Sequence, residues 1–254
     1  MQFSKLKGIP VPNVINLLEC EDRRDYTLRN FAKLGCAEVT VYNYERFENS
    51  DYEIKGDPGA ISKTSKGCFS SHVLTIKKWL ENTDEPIGIF FEDDVDFSTV
   101  AHWNFTFEEF IDTIGDDWEA IQLCGIYEST PLMMPRARLF WDHGIQCYVL
   151  KRNYAQKLVD YYFKGDNEVM TYSMPNDAPP SVENNILNSF GTTLTFPLFN
   201  HNINDFKSEN INPCVENFNQ QTTPSIHSYK FIKEWWEIKG SRLSLEQICK
   251  GEGA

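Results

Sequence analysis

Positive charge is scarce in this chain. Lys and Arg number 24 against 37 Asp and Glu, so the 254 residues carry a formal net charge of -13. A balance this acidic leaves no basic face, which excludes nucleic acid and an anionic membrane surface as main partners. Long apolar runs are missing too. No stretch approaches the roughly 20 residues a membrane span needs, so no stable membrane insertion is expected. The opening MQFSKLKGIPVPNVINLL has no charged segment followed by a long apolar core, which argues against a secretory signal. Paired cysteines are absent. The seven stand at 20, 36, 68, 124, 147, 214 and 249, an odd number with no C-x-x-C spacing. A zinc ribbon and a disulfide framework are thereby excluded, and a soluble cytoplasmic protein in a reducing compartment is the expectation. Internal repeats and low-complexity tracts are also lacking.

What is present is core material. At 41% hydrophobic and 14% aromatic residues, the chain can bury a sizeable interior, and its length suits one α/β domain with elaborated loops. Asn13 to Leu18 reads as a buried strand. Asp22 is placed to cap a helix that carries Tyr26, Phe31 and Leu34 and stops at Gly35. Glu38 to Tyr42 is a second strand, so the opening is a βαβ unit with a largely parallel sheet. Residues 43–64 read as a loop with a turn at Asp57-Pro58-Gly59. Phe69, Val73, Ile76 and Leu80 share one face of a helix over 68–81. A strand at 87–91 follows, then a helix from Phe105 to Ile114 and strands at 118–123 and 146–150. Tyr154, Leu158 and Tyr161 mark another helix. Residues 164–180 form a loop able to cover a site, Ser181 caps a helix to Phe190, and Thr193 to Phe196 is a late strand. Residues 197–227 lack periodicity, and helices at 229–238 and 243–249 close the chain.

The strand at 87–91 ends in Glu92-Asp93-Asp94. In open α/β sheets, ligands bind at the carboxyl ends of strands. Three adjacent carboxylates at such an edge repel one another and lose hydration, and a cation among them relieves both costs. Oxygen ligands select a hard ion, Mn²⁺ or Mg²⁺. Just upstream, Gly67-Cys68-Phe69-Ser70-Ser71-His72 opens the preceding helix. Its N-terminal N–H groups, with Gly67 allowing close approach and Ser71 and His72 adding donors, suit a phosphate. Arg23 and Arg24, near the end of the first strand, have the fork geometry for a diphosphate. Several metal enzymes share such parts: glycosyltransferases, phosphohydrolases and nucleotidyltransferases, beside non-catalytic nucleotide-sugar binding modules.

The order of motifs resembles glycosyltransferase family 25, which includes lipopolysaccharide galactosyltransferases and collagen galactosyltransferase domains. The resemblance rests on Val14-Ile15-Asn16-Leu17 with Arg23 and Arg24, on Gly67-Cys68 with Ser71-His72, and on Phe91-Glu92-Asp93-Asp94-Val95. Trp118 to Gly125, Cys147 to Arg152 and Ser181-Val182-Glu183 continue it, over roughly residues 13–211. It implies a GT-A-type fold with a Rossmann-like, mostly parallel central sheet flanked by helices. Within a single domain spanning 1–254, it implies a nucleotide-sugar and metal half at 13–125 and an acceptor-side half at 126–228, with C-terminal helices at 229–254. It further implies a metal-dependent, inverting hexosyltransferase, most naturally using UDP-galactose and a glycan or glycosylated protein acceptor. Asn16, Arg23, Arg24, Gly67, Ser71, His72, Glu92 and Asp93 then fall on the donor side. Asp94, Glu92 and His201 are the metal candidates. Glu183 is the expected general base, with Asp142 as the second candidate.

Overall fold

The computed structural model of the chain describes residues 4–46, 53–55, 63–127, 129–163, 169–171, 181–202 and 218–253. The central sheet starts with β1 (Pro12–Leu17), which carries four apolar residues and is buried almost throughout. Helix α1 (Glu21–Lys33) returns the chain to β2 (Thr40–Tyr44), which pairs parallel to β1 from Asn13↔Thr40 to Leu17↔Tyr44. The short β3 (Glu53–Lys55) comes next, then the long α2 (Lys63–Asn82) and β4 (Ile87–Glu92), the second parallel neighbour of β1. Beyond β4 lie β5 (Val95–Asp96), α3 (Phe107–Ile114), β6 (Ala120–Tyr127), β7 (Arg136–Ala137) and β8 (Asp142–Lys151). They are followed by α4 (Arg152–Tyr162), β9 (Val169–Thr171), α5 (Val182–Leu187), β10 (Thr193–Thr195), β11 (Asn200–His201), α6 (Phe218–Ile238) and α7 (Leu245–Cys249).

Seven strands form one sheet in the order β2-β1-β4-β8-β6-β10-β7. Only β8 and β7 run against the other five. The result is a mixed α/β architecture with a mostly parallel central sheet, consistent with a Rossmann-like frame. Strand alternation divides the core between its two faces. Ile89, Phe91, Ile121, Leu123, Cys147 and Val149 pack against α1, α3, α6 and α7, where Phe31, Phe110, Trp236 and Ile248 are buried. Phe90, Ala120, Tyr148 and Leu150 point the other way, onto Phe69, Val73, Leu158 and Ile186 of α2, α4 and α5. Such two-sided cover explains why the inner strands read as continuous apolar runs. Among the described residues no helix is long and apolar enough to cross a membrane. None of the six described cysteines is in a disulfide.

Several boundaries differ from the sequence reading, each for a local reason. Cys20, not Asp22, precedes α1, and Asp22 lies in the first turn beside Glu21. There a carboxylate favours the helix dipole without capping it. The second strand begins two residues later than expected because it pairs with β1 along its full length. Helix α2 starts at Lys63, a turn earlier than expected. Lys63-Thr64-Ser65-Lys66 has no apolar residue, so periodicity cannot reveal that turn. Helix α6 reaches back to Phe218 with Pro224 inside it, where a proline ordinarily reads as a break. Within the loop expected at 164–180, β9 pairs parallel with β3. The expected turn at Asp57-Pro58-Gly59, the rest of that loop and residues 203–217 lie outside the described residues. Ser181 caps α5 as expected, accepting from Asn184 N–H at 3.2 Å.

Candidate active site

The carboxyl ends of β1, β4 and β6 share one edge of the sheet. Strand β8 runs antiparallel and enters at that edge, with His143 opposite Ile126 and Asp142 opposite Tyr127. Asn16, Glu92, Asp142 and His143 therefore border one rim. Past β4 the chain turns through Asp93 and Asp94 into β5, which pairs antiparallel with β11. That ribbon sets His201 opposite Val95, and Asn202 N–H donates to the Asp94 carbonyl at 2.7 Å. Asn202 is thus fastened to the acidic turn from far along the chain, which no local sequence pattern could show.

The acids at this rim have different fates. Asp93 takes Arg23 Nη1 at 3.1 Å, and its carbonyl accepts from Thr27 Oγ1 at 3.1 Å. It ties α1 to the rim. Asp96 is consumed by Ser98, accepting from its N–H at 2.8 Å and its O–H at 2.9 Å. Glu92 Oε1 accepts from His72 Nε2 at 3.0 Å and lies 3.6 Å from Cys68 Sγ. Asp94 is different, because its Oδ1 is buried with no hydrogen-bond partner. The same holds for His201 Nδ1 and Asn16 Oδ1, although Asn16 Nδ2 donates to Leu17 O and to Asn43 Oδ1.

Protonation follows from this geometry. Burial, and then the charges of Glu92 and Asp93, push the Asp94 carboxyl well above the usual carboxylate range. Burial also raises Asp93 to about 6, against the pull of Arg23. For His201 burial lowers the imidazole to about 4, although Glu92 and Asp96 act the other way. Near neutral pH, an anion at Asp94 is thus penalised while the His201 ring stays neutral. A divalent cation offsets the penalty on the carboxylate, and it needs the imidazole neutral, as burial already keeps it. Buried, unpartnered Oδ1 and Nδ1 atoms are the donors such an ion takes. Mixed oxygen and nitrogen ligation favours Mn²⁺ over Mg²⁺.

Across the rim, Glu183 sits in the first turn of α5 and accepts from His143 Nδ1 at 3.0 Å. Burial works to raise Glu183, but the His143 bond, its own backbone N–H and the nearby charges of His143 and Arg138 outweigh it and hold the carboxyl below its ordinary value. It is ionised at neutral pH. Asp142 is committed elsewhere. Arg136 grips it with both terminal nitrogens, at 2.7 and 2.6 Å, and Leu139 N–H donates to it at 2.7 Å. Arg138 stands behind both acids, donating to Asn184, Asn188, Gln122 and the Asp142 carbonyl. Leu139, Phe140 and Trp141 project beside them, with Trp141 57% exposed.

Three expected donor-side residues need correction. Gly67 lies one turn inside α2, so the Gly67 to His72 segment is not a helix N-terminus and its N–H groups are not a phosphate cradle. Ser71 Oγ instead donates to Cys68 O at 2.8 Å within the helix. His72 is fully buried and bonds Glu92 on one side and Tyr148 on the other. The two arginines part company: Arg23 holds Asp93, whereas Arg24 turns to the adjacent Asp25 at 3.1 Å. Sequence reasoning missed His143 as the partner of Glu183 and Cys68 as a neighbour of Glu92. Only the second left a trace, since Cys68 and His72 stand four apart on one helix and hence on one face.

Residues 11–122 match glycosyltransferase family 25 (LPS biosynthesis protein). The family-25 region takes in Asn16, Arg23, Cys68, His72 and the acidic turn through Asp94. It stops short of Asp142, Glu183 and His201. The match covers less than half of the chain. Two solved structures show a remote likeness. The crystal structure of HddC from Yersinia pseudotuberculosis aligns at 12% identity over 76% of this chain and 73% of that one, with a TM-score of 0.33. The same protein complexed with GMP-PN aligns at 13% over 73% and 89%, with a TM-score of 0.30. At these scores neither bears on the chemistry. No curated protein matches the chain.

Proposed function

We propose that this chain is an inverting, metal-dependent hexosyltransferase on a GT-A-type frame. It moves galactose from UDP-galactose to a hydroxyl of a glycan or glycosylated protein. The observation that carries this reading is the pair of buried, unpartnered donors, Asp94 Oδ1 and His201 Nδ1, joined by the β5–β11 ribbon in and beside a family-25 match. Asp94 and His201 would hold Mn²⁺, whose chemistry when bound is to neutralise charge on a departing diphosphate. Asn16 Oδ1, at the end of β1, faces the same rim and suits a donor hydroxyl. A shallow depression lined by Leu18, Glu19, Tyr44, Glu45 and Arg46 lies where β1 and β2 end, and it suits the nucleoside.

Inversion needs in-line attack by an acceptor hydroxyl and a base to take its proton. Glu183 is that base in this reading. His143 orients it through the 3.0 Å bond, and that bond does most to hold it ionised, with the charge of Arg138 adding to it. Trp141, exposed beside β8 with Leu139 and Phe140, offers an aromatic face for the acceptor sugar. The purified chain with MnCl₂ and a panel of nucleotide sugars tests the reading through nucleoside diphosphate release. The expected result is release from UDP-galactose that rises when glycan acceptors are added. Production of inorganic phosphate, or consumption of a nucleoside triphosphate without a sugar acceptor, would contradict it.

A further inference from the structure

We infer that Cys68, His72 and Glu92 form a second cation site, selective for a zinc-class ion and distinct from the Asp94–His201 pair. The inference does not need the transferase reading. Cys68 Sγ, His72 Nε2 and a Glu92 oxygen all lie within 4.8 Å of one another. His72 Nε2 is 3.0 Å and Cys68 Sγ 3.6 Å from Glu92 Oε1. Ligands on a tetrahedral zinc at ordinary bond lengths stand roughly 3.4–3.6 Å apart, so little movement completes the set. The donor types are what set this site apart. A thiolate and an imidazole select zinc-class ions, whereas the hard Mg²⁺ or Mn²⁺ prefers oxygen.

Charge and surroundings agree with that choice. A thiolate and a carboxylate balance a divalent ion, leaving a neutral site in partly buried surroundings. The thiol proton goes to solvent on binding. His72 is held by Tyr148, whose hydroxyl lies 2.9 Å from Nδ1. Without metal, Nε2–H donates to Glu92 and the tyrosine O–H donates to Nδ1. With an ion on Nε2 the ring proton shifts to Nδ1 and donates to the Tyr148 oxygen, the outer-shell arrangement typical of histidine ligands. Tyr148 itself is fixed by stacking on Phe90 with ring centroids 5.1 Å apart. Cys68 and Glu92 are only half-buried, and three protein ligands leave a fourth position for water or a small ligand. Three protein ligands with an open position is the pattern of reactive or regulatory zinc rather than of a closed structural site.

Titration of the metal-stripped full chain with CoCl₂ tests the inference. One equivalent should build an intense thiolate-to-cobalt charge-transfer band that ZnCl₂ then removes. Cys68→Ser should lose the band. Tyr148→Phe should keep it while weakening affinity about tenfold, and Asp94→Asn should leave it unchanged. The unsubstituted protein gives an independent readout by iodoacetamide labelling and peptide mass spectrometry. There, ZnCl₂ should slow alkylation of Cys68 at least about tenfold and leave Cys20 and Cys36 untouched. No thiolate band, a band that persists in Cys68→Ser, or an unprotected Cys68 would each overturn the inference. None of these results bears on donor turnover, so the failure of this inference and of the transferase reading are separable.

Discussion

Asp94→Ala lowers Mn²⁺-dependent release of UDP by at least about a thousandfold, to the level of the metal-free protein. The reasoning is electrostatic. Asp94 is the one acid of the triplet with a buried oxygen left unpartnered among the described residues. Its neighbours are held by Arg23 on one side and by His72 on the other. A Lewis acid at a leaving group supplies several kcal/mol, and each about 1.4 kcal/mol is a factor of ten in rate. Neutralising the same residue as Asp94→Asn should have an opposite effect on the resting fold. A buried carboxylate with no counter-ion opposes folding, and Asp94 is pushed toward its neutral form by that penalty. In EDTA, calorimetry should find Asp94→Asn at least as stable as the unsubstituted chain. In Mn²⁺ at about a hundred times its dissociation constant, the unsubstituted chain gains about 2.7 kcal/mol, and the variant gains none. Equal stabilisation of both by Mn²⁺ would remove Asp94 from the metal site.

Glu183→Gln should lower transfer by about a hundredfold to ten-thousandfold, the span ordinary for loss of a general base, with UDP affinity kept within about twofold. The amide preserves shape and still accepts from His143 Nδ1, so packing around α5 is retained. It cannot take a proton. Because the carboxyl lies below its ordinary value, the unsubstituted enzyme should keep its base active down to mildly acidic pH. A rate profile that falls with an ordinary or raised carboxylate pKa would point to a different group. Transfer near the unsubstituted rate in Glu183→Gln would also dismiss it. Asp142 is a poor substitute, since Arg136 and Leu139 occupy both its oxygens, and a base must have a lone pair facing substrate.

The sequence was most informative where one face or one strand carried the signal. Ile87 to Phe91 announced a buried strand because every residue but Gly88 is apolar, and the three acids after it announced the rim. The α/β class and the βαβ opening followed from the same periodicities. What escaped depends on pairing between distant segments. Nothing near His201 says that β11 will lie on β5 and present its ring beside the acidic turn. Nothing near Asp142 says that Arg136 will claim it, because the exchange is made by the bend between β7 and β8. Gly67 misled for a different reason: a glycine before an apolar face reads as a helix start, and the polar turn at 63–66 hides the true one. His72 was named as a phosphate donor, yet it is buried and its two ring nitrogens face Glu92 and Tyr148.

The three acids of the triplet, equal in the sequence, differ in their partners. Asp93 bonds Arg23 of α1, Glu92 bonds His72 and lies near Cys68, and Asp94 keeps a buried oxygen unpartnered. This division follows from partners rather than from position. It means that Asp93→Asn should be read as a packing change at α1 before it is read as a change in chemistry.

Anomalous diffraction from crystals soaked with MnCl₂ and UDP tests the central claim most directly. The expected result is a manganese peak within bonding distance of Asp94 Oδ1 and His201 Nδ1, with the diphosphate oxygens on its open side. Manganese and UDP bound elsewhere, with both atoms still unpartnered, would contradict it.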